Sequence, residues 1–153
     1  TVGALFGYMG GATQANAGLY KNNAALKKTE ASNQWNYFQA KSTKQSLAEM
    51  SRDLSTKDDD KAKYQAKVDR YEKEKSDIKA MADKLEAEAT EWDHRSDEQM
   101  HQHHRWAQST TVLQVSIALA AIALLTKKKW LEHAMFAAGG IGVVVGALAV
   151  LHI

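Results

Sequence analysis

Two long apolar segments lie at the C-terminal end of the chain, separated by a short basic loop. The first runs from Ala107 to Leu125 and the second from Leu131 to the end, with the lysine run 127–129 between them. Each is about 20 residues long, the length at which a helix matches the hydrocarbon thickness of a bilayer. The pattern therefore predicts a transmembrane helical hairpin over residues 107–153, with a lysine-rich loop at 127–129.

The beginning of the chain is apolar as well, and no charged residue occurs between Val2 and Ala12. We interpret residues 1–13 as the end of a first, truncated transmembrane helix. The alternative is a small-residue N-terminus left by cleavage of a signal peptide. The apolar character continues well past a cleavage point of that kind, which favours the truncated helix.

Residues 14–106 are polar and are predicted to form a long antiparallel, coiled-coil-like helical hairpin outside the bilayer, with a turn near 55–60. The chain has no proline, so neither arm needs to be interrupted. A disordered charged linker is the alternative, but apolar positions recur over several heptads in both arms. With small and polar interruptions, the stripe consists of Leu19, Leu26, Asn33, Ala40, Leu47 and Leu54 in the first arm, and of Tyr64, Val68, Tyr71, Lys75, Ile78, Ala82, Leu85, Ala89 and Trp92 in the second.

Composition and motifs exclude several classes of function. The formal net charge of the 153 residues is only +2, which does not favour nucleic acid as a partner. The chain has no cysteine, so disulfides and thiolate metal sites are excluded. There is no phosphate-binding glycine loop, nucleophile elbow or HExxH motif. The sequence thus predicts an all-α membrane protein with about three transmembrane helices that is not an enzyme.

Small residues recur every four positions in both apolar ends of the chain, a spacing that allows membrane helices to approach closely. We predict helix packing at Gly3, Gly7, Gly11, Ala138, Gly142 and Gly146, either within one chain or between chains. The alternative is that glycine is simply frequent in membrane helices.

The lysine-rich loop also predicts the orientation. Short basic loops favour the cytoplasm, so the helical arms would point outward, into the periplasm if the source is a Gram-negative bacterium. Basic residues near the membrane ends of the arms count against this orientation: Lys21, Lys27, Lys28, Arg95 and Arg105.

A histidine-rich segment lies where the second arm approaches the membrane. We list His94, Asp97, His101 and His104 as a candidate transition-metal site, because steps of three and four place them on one helical face. The nearby part of the first arm is poor in carboxylates, so such a site would need ligands from other copies or other proteins. The alternative is a solvated juxtamembrane face, in which case the protein has no cofactor.

An aromatic cluster in the first arm is a candidate docking patch. The cluster consists of Trp35, Tyr37 and Phe38, which is a larger number of aromatic residues than a thin coiled-coil stripe requires. Aromatic side chains are enriched at protein interfaces. The alternative is a locally thickened core of the hairpin.

Three elements together resemble a family of uncharacterised bacterial membrane proteins, known as a domain of unknown function. They are the Trp-x-Tyr-Phe-Gln-Ala-Lys-Ser element at 35–42, the charged coiled coil, and the closing apolar–TKKKW–apolar segment. The resemblance implies one N-terminal span, a helical soluble segment and two C-terminal spans, and we expect the protein to lie in the bacterial inner membrane. It implies no activity and no catalytic residues, and the histidines at 101–104 are not part of it.

The function predicted from the sequence is that of a non-catalytic structural or accessory membrane subunit. Its partners would be membrane lipid, further copies of itself and the subunits of a larger membrane complex. The first alternative is a metal-binding or redox-accessory subunit that uses the histidine-rich segment. The second is an oligomeric channel or sensor, against which the lack of polar pore-lining residues counts, with Gln114 and Ser116 as the candidate exceptions.

Overall fold

Three α-helices contain nearly all of residues 2–151, which are the residues described by this computed structural model. α1 spans Val2–Leu54, α2 spans Asp58–Thr126 and α3 spans Lys129–Val150. No strand occurs among the described residues, so the predicted all-α class is confirmed. The outermost residues of the predicted terminal segments, residues 1, 152 and 153, lie outside the described part of the chain.

Two short connections join the helices. Between α1 and α2, the amide of Ser55 donates to the carbonyl of Arg52 at 3.2 Å. Three aspartates then occupy the first turn of α2, where their charge suits the positive end of the helix dipole. Between α2 and α3 the turn is made without glycine, because Lys127 adopts a φ of 52°.

The chain divides into two compact units, each of which is described separately. The first, called the bundle, consists of the residues up to Lys21 and those from His94 onward, and so contains parts of α1 and α2 with all of α3. The second, called the hairpin, is Asn22–Asp93.

Two of the described helices contain an apolar stretch long enough to cross a membrane. They are α2, through its C-terminal part, and α3. α1 is not among them, and the predicted first span remains a prediction.

In the hairpin, the predicted stripe of α2 is the buried one. Val68, Ala82, Leu85 and Ala89 are buried, and the intervening stripe positions are half-buried. The hydrophobic periodicity of this charged helix therefore identified its packing face.

The predicted stripe of α1 was wrong. Leu19, Leu26, Leu47 and Leu54 are all exposed, as are Asn33 and Ala40 between them. In the first three heptads the buried position instead lies two residues earlier and is alanine, at Ala17, Ala24 and Ala31. Alanine lets the backbone of α1 approach its neighbour closely, so the larger leucines are turned away from the interface.

Candidate functional site

The bundle is centred on one aromatic contact between α1 and α2. The rings of Phe6 and Trp106 lie 5.1 Å apart at an interplanar angle of 54°, and Ala149 of α3 completes the buried cluster. Trp106 is 2 % exposed, and its indole N–H has no hydrogen-bond acceptor among the described residues. The indole thus contributes through its size and shape.

Glycine allows α3 to approach this cluster. A Cβ added at Gly146 would collide with the Phe6 ring and lie 2.9 Å from Ser109 Oγ. One added at Gly142 would lie 3.0 Å from Leu113 Cδ2. Both glycines are buried, and Ala138 is half-buried on the same face, so this small-residue stripe packs within the chain.

The other small-residue stripe has a different environment. A Cβ added at Gly3, Gly7 or Gly11 would meet no atom within 4 Å. The glycine of α1 that does face a neighbour is Gly10, where an added Cβ would lie 3.4 Å from Trp106 Cβ. The predicted packing at these three positions is therefore not made among residues 2–151, and a contact between chains remains a prediction.

Serine hydroxyls join the helices of the bundle through backbone carbonyls. Ser109 donates to the carbonyl of Gly142 at 2.7 Å, and Ser116 donates to that of Met135 at 2.9 Å. Ser96 bonds in the same way to the carbonyl of Ala17, at 2.9 Å. Hydrogen bonds of this kind between closely packed small residues are typical of helix association in membranes.

Apart from the cluster around Phe6 and Trp106, most large apolar side chains of the bundle point outward. Leu124 and Leu125 are 82 % and 83 % exposed, and Phe136 is 73 % exposed. Further exposed apolar residues on α2 and α3 are Val115, Ile117, Ile122, Ile141, Val143 and Val144. Small residues inside and large apolar residues outside are the reverse of the arrangement in a water-soluble helical protein.

The histidine-rich segment of α2 is mostly exposed. His94 lies 3.2 Å from Glu98, measured from Nδ1 to Oε1, while Asp97, His101 and His104 are exposed on the helix surface. Among residues 2–151 no group of three histidine, aspartate or glutamate side chains is arranged to hold a metal ion. The metal site remains a prediction that depends on ligands from another chain.

One histidine of this segment, absent from the predicted metal site, contacts α1. His103 is half-buried, and its Nδ1 lies 2.8 Å from the carbonyl oxygen of Gly10. The spacing of residues in the sequence predicts this contact with α1. His103 continues the heptad of Ala89 and Ser96, and it lies three residues before Trp106.

The two polar residues considered for a pore, Gln114 and Ser116, differ in their environments. The Ser116 hydroxyl is engaged with α3, as described above, and Gln114 is exposed.

In the hairpin, Lys41 occupies a position in the interface between α1 and α2. Its Nζ lies 2.5 Å from Glu74 Oε2, and the side chain is 17 % exposed. The Tyr37 and Tyr71 ring centroids are each 5.5 Å from this nitrogen. The hydrogen bond to Glu74 raises the pKa of Lys41 above its ordinary value, and the same bond lowers the pKa of Glu74.

A second lysine of α1 is held similarly. Lys27 lies 3.1 Å from Glu30 and 3.2 Å from Glu88. Hydrogen bonds to these two carboxylates, Glu30 first, raise its pKa. Lys28 forms a further ion pair across the hairpin, 2.5 Å from Asp93.

The aromatic cluster is divided between the hairpin interface and its surface. The Trp35 indole donates to Glu86 at 2.7 Å and meets Phe38 edge-on at 5.7 Å. Both rings lie beneath lysines of α2, Lys79 for Trp35 and Lys75 for Phe38. Tyr37 is 59 % exposed, so of the three residues it is the one open to a partner.

A family model matches almost the full length of the chain. Its description is "Domain of unknown function (DUF4337)", and it matches residues 1–152. No curated protein and no solved structure matches the chain. The match confirms the resemblance to a family of unknown function, and it includes the bundle and the hairpin alike.

Proposed function

The chain belongs to the family of domains of unknown function DUF4337, whose description assigns no activity, and we therefore propose a function from the bundle and the hairpin themselves. We propose a multi-pass protein of the bacterial inner membrane with a non-catalytic, structural role. Its hairpin assembles with further copies or docks onto a larger membrane complex.

The reversed distribution of side chains in the bundle supports membrane insertion. Glycines and serine hydroxyls lie between its helices, and the exposed apolar residues of α2 and α3 form an outer surface suited to lipid. Contiguous apolar patches of this size are rare on soluble monomers, since in water they promote association.

The proposal includes a third span at the beginning of α1. Phe6 packs with Trp106 and Ala149 inside the bundle, which supports placing the start of α1 at the same depth as the ends of the other two spans. The lysine-rich loop supports a cytoplasmic connection between α2 and α3, with the hairpin in the periplasm.

The observation that carries the structural role is the exposed apolar surface of α1 in the hairpin. Leu26, Leu47, Met50 and Leu54 are all more than half exposed, although α2 covers the other side of the same helix. A two-helix hairpin has little interior, so it gains stability when a partner covers such side chains.

Single-cysteine labelling tests the membrane topology, because the natural chain has no cysteine. Ala66→Cys places a thiol on the exposed surface of the hairpin, and Lys128→Cys places one in the loop. With a membrane-impermeant maleimide on cells with a permeabilised outer membrane, we expect labelling at 66 and protection at 128 until the inner membrane is lysed. Labelling at 128 with protection at 66 would show the reverse orientation. Release of the protein by alkaline carbonate would refute membrane insertion.

Native mass spectrometry after mild extraction tests the assembly. We expect a defined oligomer or a complex with other subunits, and a strictly monomeric protein would contradict the structural role. Metal analysis of the same sample addresses the alternative function: stoichiometric metal lost in His101→Ala would favour the metal-binding subunit.

A further inference from the structure

An uncharged row of side chains follows the exposed face of α1 through the hairpin. Its members are spaced by alternating steps of three and four, as in the seam of a coiled coil. All are exposed, and they are Leu26, Thr29, Asn33, Asn36, Ala40, Thr43, Leu47, Met50 and Leu54.

This row lies almost opposite the face that α1 presents to α2. The face toward α2 includes Ala24, Ala31 and Ala48. At about 100° per residue, the centre of the row is roughly 150° around the helix from the centre of that face. The hairpin therefore cannot cover the row with its own second helix.

The lack of charge in the row is specific to this face. α2 carries 20 charged residues among the 36 from Asp58 to Asp93, which suits a helix surrounded by water. α1 carries eight among the 33 from Asn22 to Leu54, and none lies in the row. The Thr29 and Thr43 hydroxyls donate to carbonyls of their own helix, to Ala25 at 2.9 Å and to Gln39 at 3.1 Å. Their polarity is thereby reduced.

We propose that the uncharged row is the interface with a second copy of this chain, in a parallel, in-register dimer of α1 helices. The proposal rests on the membrane insertion proposed above, since copies inserted with the same orientation have their α1 helices running in the same direction. In register, every residue of the row meets its own counterpart.

The position of Asn33 favours a second copy over an unrelated partner. In the heptad of the row, Asn33 occupies an a position between Leu26 and Ala40. An asparagine amide both donates and accepts, so it is complementary to itself. An asparagine at a single a position specifies the register and the oligomeric state of a coiled coil, and self-pairing of Asn33 requires the in-register arrangement.

The flanking residues are compatible with the same register. Glu30 would face Ala25 of the second copy, and Lys44 would face Gln39, so no like charges are opposed. Tyr37 would flank the seam opposite Ser32, which gives the exposed member of the aromatic cluster a place in the interface.

The length of the row is sufficient for a stable contact. At 1.5 Å per residue the hairpin part of α1 extends for about 50 Å. Seam and flanking positions together give about 20 residues on each copy, the lower end of a standard protein interface.

Disulfide formation in membranes tests the dimer, with two exposed alanines as a matched pair. Ala40→Cys lies in the row, and Ala80→Cys lies on the surface of α2. In a parallel seam the two Cα atoms at position 40 are close enough for a disulfide. We expect mild oxidation to convert most of the Ala40→Cys protein to a covalent homodimer and less than a tenth of the Ala80→Cys protein.

A second variant tests the seam itself. Leu47→Glu in the Ala40→Cys background places two carboxylates opposite each other and is expected to reduce the covalent dimer at least tenfold. Glu49→Gln, also on α1 but outside the row, is expected to leave it unchanged.

The outcomes separate this proposal from the one on which it rests. If maleimide labelling shows insertion and Ala40→Cys forms no more dimer than Ala80→Cys, the homodimer is refuted while membrane anchoring stands. A disulfide-linked or co-purified different subunit at position 40 also refutes it. Release of the protein from the membrane refutes both.

Discussion

The bundle and the hairpin both use small residues between their helices, but they differ in what lies outside. In the bundle, Gly142 and Gly146 allow close contact, and serine hydroxyls reach backbone carbonyls across it. In the hairpin, alanines allow the close contact between α1 and α2, and ion pairs such as Lys41–Glu74 lie at the edges of this interface. The bundle exposes large apolar side chains, whereas α2 of the hairpin exposes charges.

This difference shows that the residues packed between two helices do not by themselves indicate whether lipid or water surrounds the pair. Close packing of glycine and alanine is common to the two units, since it depends on backbone approach rather than on side-chain hydrophobicity. The outer surface distinguishes them: Leu124, Leu125 and Phe136 suit lipid, and the carboxylates and lysines of α2 suit water.

The largest effect is expected when the aromatic centre of the bundle is removed. Trp106→Ala eliminates the contact with Phe6 and leaves a cavity, for which we expect a loss of about 3–5 kcal/mol in the free energy of unfolding. Trp106→Phe should cost much less, because the indole N–H has no acceptor among the described residues.

Denaturant titration in micelles measures both variants, and hydrogen exchange locates the change. Exchange should increase mainly within the bundle in Trp106→Ala. Equal losses for alanine and phenylalanine would show that the indole nitrogen, and not the ring volume, stabilises the bundle.

The next effect concerns glycine in the same unit. A methyl group at Gly146 would meet the Phe6 ring and Ser109, so Gly146→Ala should destabilise by about 1–3 kcal/mol through overpacking. Gly140→Ala is the matched control, because an added Cβ there meets no atom within 4 Å. Its greater helix propensity should leave stability unchanged or slightly increased. Identical melting temperatures for the two variants would contradict the close approach of α3.

Sequence periodicity predicted much of the fold but only part of its surfaces. The stripe of α2 was recognisable because Val68, Leu85 and the other apolar stripe residues are surrounded by charged residues in the sequence. On α1 the same rule selected leucines, whereas alanines are buried, since close backbone approach favours small side chains over hydrophobic ones. Which face of a weakly charged helix is inside depends on its partner, and the sequence of one helix does not contain that information.

The candidate site shows the same limit. His94, Asp97, His101 and His104 share a face, as their spacing predicts, but that face is exposed. His103 is the residue turned toward α1, and only an extension of the α2 stripe beyond Trp92 would have identified it. The three-residue spacing of Trp35 and Phe38 already places them on one helical face and turns Tyr37 away from it, but the sequence of α1 alone does not say which face α2 covers.

The hairpin should show a pH dependence to which the Lys41–Glu74 pair contributes. The pKa of Lys41 is raised from 10.5, so its contribution is present below that pH and is lost as pH rises through the raised value. The pKa of Glu74 is lowered from 4.5, so its contribution is present above that pH and is lost as pH falls through the lowered value.

Lys41→Met therefore should differ most from the natural chain between these limits, and the difference in melting temperature should shrink at both extremes. Lys61→Met, at an exposed lysine of α2, is the control for loss of a positive charge. A difference that is constant from acid to alkaline pH would show that the lysine stem, through its packing between Tyr37 and Tyr71, contributes more than the ion pair.

The smallest effect is expected at the turn between α2 and α3, where the bundle departs from ideal backbone geometry. Lys127 adopts a left-handed conformation with φ of 52°, which costs a residue with a Cβ about 1 kcal/mol and costs glycine little. Lys127→Gly should therefore raise the free energy of unfolding by up to about 1 kcal/mol. The neighbouring Lys128 has an ordinary extended conformation, with φ of −92° and ψ of 116°. Lys128→Gly removes the same charge and should give no gain, so thermal melts of the two variants distinguish backbone strain from electrostatic repulsion within the lysine run. An equal gain in both would assign the effect to charge.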